Sequence, residues 1–537
     1  MKKIVLFLLS ISVFNPTNAS VFHIDPINGS NTGDGSAANP WKTLEYVINN
    51  NYIESYSYTL PYNSSNPQTN IKNNGAPIKA GDTILLYSGL HGSIFIQNYI
   101  NNDYVTVKAA ENNTPLLKQL HIQAGKKWKF EGITVSSEPY SSYLDDKLIY
   151  LQSHSFQGPS SDIEIANCEI YSTTTPWTVA TDWTTKASDG IFVSCSNVIL
   201  LNNTIRNVSF GAILRGDYIK MLNNSVTNFS GDGVRVLGSN ILVDGNVIKN
   251  CYKVDGNHDD GIQSFTTGGI VANHNIIRNN TIINFEDINQ PLRGNLQGIG
   301  CFNGPYNDWT VENNVIVVNH WHGITFYGAN NVKILNNTVV DPLPDQTPGS
   351  SWIRFGDDSA YPTTNCEIRN NIVNTISNSP NANIAISNNL LLSTTTDYNL
   401  HFIDYRQYDF HLLPSSTAID NAHSSIFSQT DIEGTPRPQG NQADIGAYEY
   451  SSPSSIDEYA NQNILAYPNP VSDYLILKSD IEIKDIFIYN ASGQLIKHLK
   501  SSSNIDCIYL GDLKTGIYIL KISDKYNVMI FNKIVRL

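Results

Sequence analysis

The chain has 537 residues, 41% of them hydrophobic and only 15% charged, with a formal net charge of −14 at pH 7. So much apolar sequence excludes a disordered chain, and so few charges exclude a coiled coil or a long charged helix. The acidic balance excludes a general nucleic-acid binder, which would present a basic surface.

The first element reads as a leader. Lys2 and Lys3 precede an apolar run from Ile4 to Phe14, and Ala19 closes the segment. That is the pattern of a secretory signal peptide over residues 1–19, too short to span a membrane. It predicts an exported protein. Residues 20–103 read as an N-terminal cap and first coil. There DPINGSNTGDGSAANPWKTLEYVI (25–48) is a Gly/Asn-rich turn running into a short helix from Trp41 to about Asn49, and GDTILLYSG (81–89) reads as the first strand.

Residues 104–450 contain a repeat. One ladder is Asn-Asn, once Gly-Asn, before an apolar pair, its second residues being Asn203, Asn224, Asn246, Asn280, Asn314, Asn337 and Asn371, spaced by 21, 22, 34, 34, 23 and 34. A second ladder is a glycine before an apolar strand: Gly190, Gly211, Gly233, Gly261, Gly298 and Gly323. The distances from each glycine to the next ladder Asn are 13, 13, 13, 19, 16 and 14. A unit of about 22 residues with loop insertions predicts one coil of a parallel β-solenoid per repeat. Cys168, Cys195, Cys251, Cys301, Cys366 and Cys507 form no close C-x-x-C pair, which argues against zinc and for buried free thiols.

Stacking the coils aligns chemistry. The residues before the ladder glycines are Asp189, Phe210, Asp232, Asp260, Gln297 and His322. Two positions after each glycine stand Phe192, Ile213, Arg235, Gln263, Gly300 and Thr325, and four after come Arg215, Phe265, Phe302 and Tyr327. Each column steps by about 4.8 Å per coil. Long insertions at 249–260, 284–297 and 341–351 all enter at the turn before this face and would wall a groove suited to an extended polymer.

NHDDGIQSF (257–265) is the sharpest motif. Asp259 and Asp260 could chelate Ca²⁺ through their oxygens, or one could be a general acid of raised pKa beside His258. A plain Asp-Gly turn is the alternative, preferred for Asp189 and Asp232. NHWHG (319–323) places His322 in the column as a base near neutral pH, and Lys253 in the insertion is a further base. Arg235 and Arg354 are the outward cations for a substrate carboxylate or sulfate, beside Gln263. Trp321, Phe302 and Tyr327 could stack on sugar rings, or simply pack.

Beyond the Ser-rich linker SSPSSIDEYANQN (451–463), residues 464–537 alternate apolar strands and turns, which predicts a small β-sandwich. The YPNP, IYNASGQLIK and GIYILKI…KIVRL stretches resemble the C-terminal sorting domain of the type IX secretion system of Bacteroidetes-type bacteria. This implies carriage across the outer membrane and the type IX machinery as a partner. Residues 21–450, with the capping helix, the ladders and the closing segment 409–449, resemble secreted right-handed parallel β-helix proteins. The fold expected is therefore all-β, a right-handed parallel β-helix with a C-terminal sandwich. That fold hosts lyases, hydrolases, epimerases and adhesins. The leading expectation is a lyase cutting a uronic-acid glycan by β-elimination. A polygalacturonase-like hydrolase using Asp232 and Asp260, a uronate epimerase and a non-catalytic adhesin stay open.

Overall fold

A computed structural model describes residues 19–140, 143–144, 146–266, 271–344, 346–358, 360–379, 383–451, 464–479, 483–490, 494–500, 507–524 and 529–536. The leader and nearly all of the linker lie outside the described residues. The chain forms two compact units that divide between Tyr450 and Ser451.

The first unit winds into coils whose strands pair in parallel with the coil before and after. One ladder of strands is a twelve-stranded sheet running from Gly89–Leu90 to Leu390–Leu391. Two more faces complete each coil. On one of them Asp189–Ser194, Ala212–Leu214, Val234–Val236, Asp260–Phe265, Gln297–Phe302, His322–Tyr327 and Trp352–Gly356 stack in order. Inside runs one continuous column of Ile, Val and Leu, including Ile191, Val193, Ile262, Ile299, Ile324 and Ile353, all with no measurable exposure.

The Asn-Asn pairs explain the turns. The first residue of each pair adopts a left-handed backbone (φ 54° at Asn202, 55° at Asn279, 58° at Asn370), which Asn tolerates better than other non-glycine residues. In the one Gly-Asn pair Gly245 does the same at φ +70°. The second residue points inward and bonds along the stack. Asn280 Oδ1 accepts from the backbone N–H and the Nδ2 of Asn246, both at 2.9 Å, while its own Nδ2 donates to Val243 O and Asn314 Oδ1 at 2.9 Å. The ladder runs on to Asn389.

The glycine ladder has a different cause. A Cβ at Gly298 would lie 2.2 Å from the carbonyl oxygen of Gly323 on the next coil, and Gly190, Gly211 and Gly233 face their successors in the same way at 2.3–2.6 Å. Gly298→Ala is therefore expected to force two coils apart and lower the unfolding free energy by about 1–3 kcal/mol, read as a shifted urea midpoint.

Several boundaries differ from expectation. The first strand is Val21–Ile24, which pairs with Thr83–Leu86; four residues beside the leader give too short a pattern to notice. Helix α1 spans Leu44–Asn49 rather than starting at Trp41, because Thr43 caps it by accepting from the Tyr46 N–H. Leu44, Val47 and Ile48 close the end of the core. The strand Ser93–Ala109 runs through the expected cap boundary at 103/104. Helices α2 (Ala180–Lys186) and α3 (Thr395–His401) sit outside the repeat pattern, whose period gives no sign of them. Past α3 the chain returns along the twelve-stranded face, where Asn313 and Asn370 donate to Ser428 Oγ and Ile426 O and a buried Arg437–Glu449 ion pair of 3.0 Å locks the segment. Five of the cysteines are buried free thiols; Cys507 is exposed.

The second unit is two antiparallel sheets. One holds Ile464–Tyr467, Tyr474–Ser479 and Cys507–Tyr509, the other Ile483–Asn490, Leu495–Lys500, Gly516–Asp524 and Met529–Arg536. Leu475, Ile486, Ile488, Leu520 and Ile522 fill the core of this small sandwich.

Candidate active site

The outward column forms as its spacing predicts. Phe192, Ile213, Arg235, Gln263, Gly300, Thr325 and Arg354 pair in register from coil to coil. The residue before each glycine lies beside the one three positions later. Arg235 Nε donates to Asp232 Oδ2 (2.5 Å), Gln263 Nε2 to Asp260 Oδ2 (2.9 Å), and His322 Nδ1 lies 2.8 Å from Thr325 Oγ1. In the coil between, Gln297 has Gly300 as its counterpart, so the column has a one-residue gap.

Asp260 stands at that gap. Its carboxyl is fully buried, with Oδ2 held by Gln263 and by His258 Nδ1 at 3.2 Å. Oδ1 has no hydrogen-bond partner among the described residues, and a Cβ at Gly300 would lie 2.2 Å from it. Burial pushes the Asp260 carboxyl up to about 7; the charge of Asp232 adds to this, and His258 and Gln263 oppose it. Its hydrogen bond to Asp260 in turn raises His258. Asp232 is also buried and raised by burial, but both its oxygens are engaged, Oδ2 by Arg235 and Oδ1 by the Asp260 N–H at 2.9 Å.

Phe302 joins the groups. Its ring lies 6.0 Å from that of His258, 5.1 Å from His322 and 5.6 Å from Tyr327. Burial pushes His320 and His322 down to about 4, so both imidazoles are neutral at pH 7. Arg235, His258, Gln263 and Phe302 line one cavity of about 280 Å³. Arg354 stands four coils from Arg235, about 19 Å along the column, with its guanidinium 5.4 Å from the Trp352 ring and its Nη1 on Ser377 Oγ. Trp321 is exposed and tilted against Trp352.

The two acidic neighbours part company. Lys253 Nζ pairs with Asp259 Oδ2 at 3.0 Å, so this lysine is an ion-pair partner and not a free base. Burial leads the rise of Asp259 to about 6. Asp259 is thus bound to Lys253, and Asp260 to His258 and Gln263. Among the described residues no group of three or more His, Cys, Asp or Glu is placed to hold a metal ion. The two carboxyls therefore face different partners and not one common point. The insertions carrying these residues brace each other: Lys253 N donates to Leu292 O, Gln290 Nε2 to Cys251 O, and Trp183 of α2 packs on Tyr252 at 4.7 Å.

Sequence reasoning passed over Gln297, Gly300, Thr325 and Trp352 as site residues. The signal was a four-residue phrase, DGVR (232–235), DGIQ (260–263), QGIG (297–300) and HGIT (322–325), whose ends meet side by side.

The family model described as right handed beta helix region matches residues 149–286 and 189–343. The middle of the chain is similar to that family, in keeping with its coils of parallel strands. The model described as secretion system C-terminal sorting domain matches residues 465–536, which marks the β-helix protein for secretion or display at the cell surface. Among solved structures, the β-helix protein is similar to pectate lyase Pel9A at 16% identity, covering 81% of this chain and 98% of that one, with a TM-score of 0.40. A rhamnogalacturonan lyase is 12% identical over 72% of this chain and 91% of that one, with a TM-score of 0.39. A GH136 lacto-N-biosidase from Eubacterium ramulus is 11% identical over 70% and 68%, with a TM-score of 0.36. Likeness at this level bears on neither activity nor substrate. No curated protein matches the chain.

Proposed function

We propose that this β-helix protein is carried out by the type IX secretion machinery and cuts a uronic-acid-containing polysaccharide by β-elimination. The observation that carries this reading is a buried carboxyl oxygen with no hydrogen-bond partner among the described residues, Asp260 Oδ1, set beside Phe302 with the neutral imidazole of His322 against the same ring. Elimination needs one base, one acid and a cation for the substrate carboxylate. Inverting hydrolysis needs two free carboxyl groups with water between them, and Asp232 has both oxygens engaged.

In the reaction a uronate in the cavity meets Arg235 with its carboxylate and Phe302 with its ring. His322 takes the C5 proton. The C–H electrons form the C4=C5 double bond, the C4–O4 bond breaks, and the proton held by the His258–Asp260 pair leaves through Oδ1 to O4. Solvent returns the His322 proton to the pair. Arg354 holds a carboxylate further along the polymer.

The test is absorbance at about 235 nm, where an unsaturated uronate absorbs, with the full chain on alginate, pectate, glycosaminoglycan and ulvan-type polymers. One polymer should give a rise. Its rate should climb through pH 4 as His322 loses its proton and fall above about 7 as Asp260 does. His322→Gln should cut the rate about 10²–10⁴-fold and remove the acid limb. New reducing ends without absorbance would replace elimination by hydrolysis. Retained polymer without either product would leave a binding protein.

A further inference from the structure

The gap at Gly300 holds a second orphan besides Asp260. Three coils of this face repeat one arrangement, in which the residue before the glycine is satisfied by the residue three positions on: Asp232 by Arg235, Asp260 by Gln263, His322 by Thr325. Gln297 occupies the first position in register with Asp260, but its counterpart is Gly300, which offers nothing. Its Oε1 is buried without a hydrogen-bond partner among the described residues, and the residue as a whole is 7% exposed. An unpaired buried acceptor weakens the fold unless something donates to it. Two such acceptor atoms, Gln297 Oε1 and Asp260 Oδ1, therefore belong to one notch. Buried Gln263 and Thr325 flank it, one coil to either side and about 9.6 Å apart. Its wall is Phe302, whose ring would lie 2.7 Å from a Cβ at Gly300.

We infer that this notch is the subsite for the sugar being cut, with Gln297 Oε1 accepting a hydrogen bond from a free ring hydroxyl next to the scissile bond. The inference rests on the elimination reading for the bond that breaks, but not for the hydroxyl that is recognised. It names a substrate class: an acidic polysaccharide whose hydroxyl at that position is unesterified. An acetylated or sulfated oxygen has no hydrogen to donate and brings bulk into a slot one residue wide. Gln297 is then a positioning residue, and Gly300 the residue that lets the Asp260 carboxyl and the Phe302 ring close on the notch.

The decisive variant is Gln297→Met, which keeps the length and removes the acceptor. If the acceptor is kept for a ligand, the thermal midpoint of the full chain stays level or rises, while kcat/KM on the polymer that wild type cleaves falls about 10–100-fold. Wild type should also prefer that polymer to its chemically O-acetylated form, and the variant should lose the preference. Gly300→Ala should lose activity in the same way. A structural glutamine would behave oppositely: the midpoint falls by several degrees and the preference survives, which overturns the inference. If wild type cleaves no polymer, the elimination reading fails separately. The notch is then read by affinity gel electrophoresis through the same polymers. Retardation of wild type by the unacetylated form alone, lost in Gln297→Met, sustains it; equal or absent retardation of both proteins overturns it.

Discussion

Asp260→Asn is expected to lose about 10²–10⁴-fold in turnover and to become more heat-resistant than wild type at neutral pH. The two effects share a cause. Asp260 titrates near 3.8 as an ordinary aspartate and at about 7 in the fold. Below 3.8 it is protonated in both states and burial costs little. From about pH 4 to about 7 the unfolded chain releases the proton and the folded chain holds it, so stability falls steadily; above about 7 the loss is complete. His258 acts in the same direction. Its raised pKa adds stability that is full below 6.5 and is lost as pH rises through its folded value, and that rise comes first from the bond to Asp260. Asparagine removes both dependences while keeping the shape. From about pH 4 to about 7 the wild-type midpoint should therefore fall relative to that of the variant, and the two should run parallel once Asp260 and His258 have both lost their protons. A variant midpoint that follows wild type across the whole range would refute the burial of Asp260 as an acid poised to give up its proton.

The second large effect is structural. Asn280→Ala removes two acceptor contacts and two donor contacts from the middle of the ladder at once. The Asn246 N–H, fully buried, would be left with no partner and no route to water. With each orphan costing about 1–3 kcal/mol, the variant should lose about 3–5 kcal/mol, enough to shift a urea unfolding curve strongly. Its neighbour is the control. Asn279 is half-buried with φ 55°, its Nδ2 donating to Asp244 Oδ1 at 2.8 Å, and Asn279→Ala should cost only about 1–2 kcal/mol, for the left-handed backbone and that part-exposed bond. Equal losses at the two positions would mean that the turn, and not the stack of amides, holds the coils in register.

Those two asparagines also show what is legible in a sequence. The ladder was readable because a fold of stacked coils writes its period along the chain: every second Asn of the seven pairs bonds to the next, and the columns at and two beyond each glycine align as spaced. What a side chain touches is not written that way. Asp259 and Asp260 are adjacent letters, but consecutive side chains in an extended chain leave on opposite faces, so one meets Lys253 and the other His258. Lys253 looked free because its partner lies across its own insertion. Gln297 and Gly300 were invisible as a site because their meaning lies in a hydrogen bond that is missing, and only the three filled coils around them reveal it. Thr43 at the start of α1 was open to reading from the sequence: a threonine three residues before Tyr46 is an ordinary cap.

The corner at which the insertions enter has one more consequence. The coils of Asn280 and Asn314 contain 34 residues and that of Asn224 only 21, yet all three meet their neighbours in the same register. Lengthening a loop whose ends are already fixed costs only about 0.6 kcal/mol per doubling. Scaffold and groove wall are thus physically separable in this molecule: the loops over the groove can change length at little cost, while the buried amide stack cannot lose a member without orphaning its neighbours.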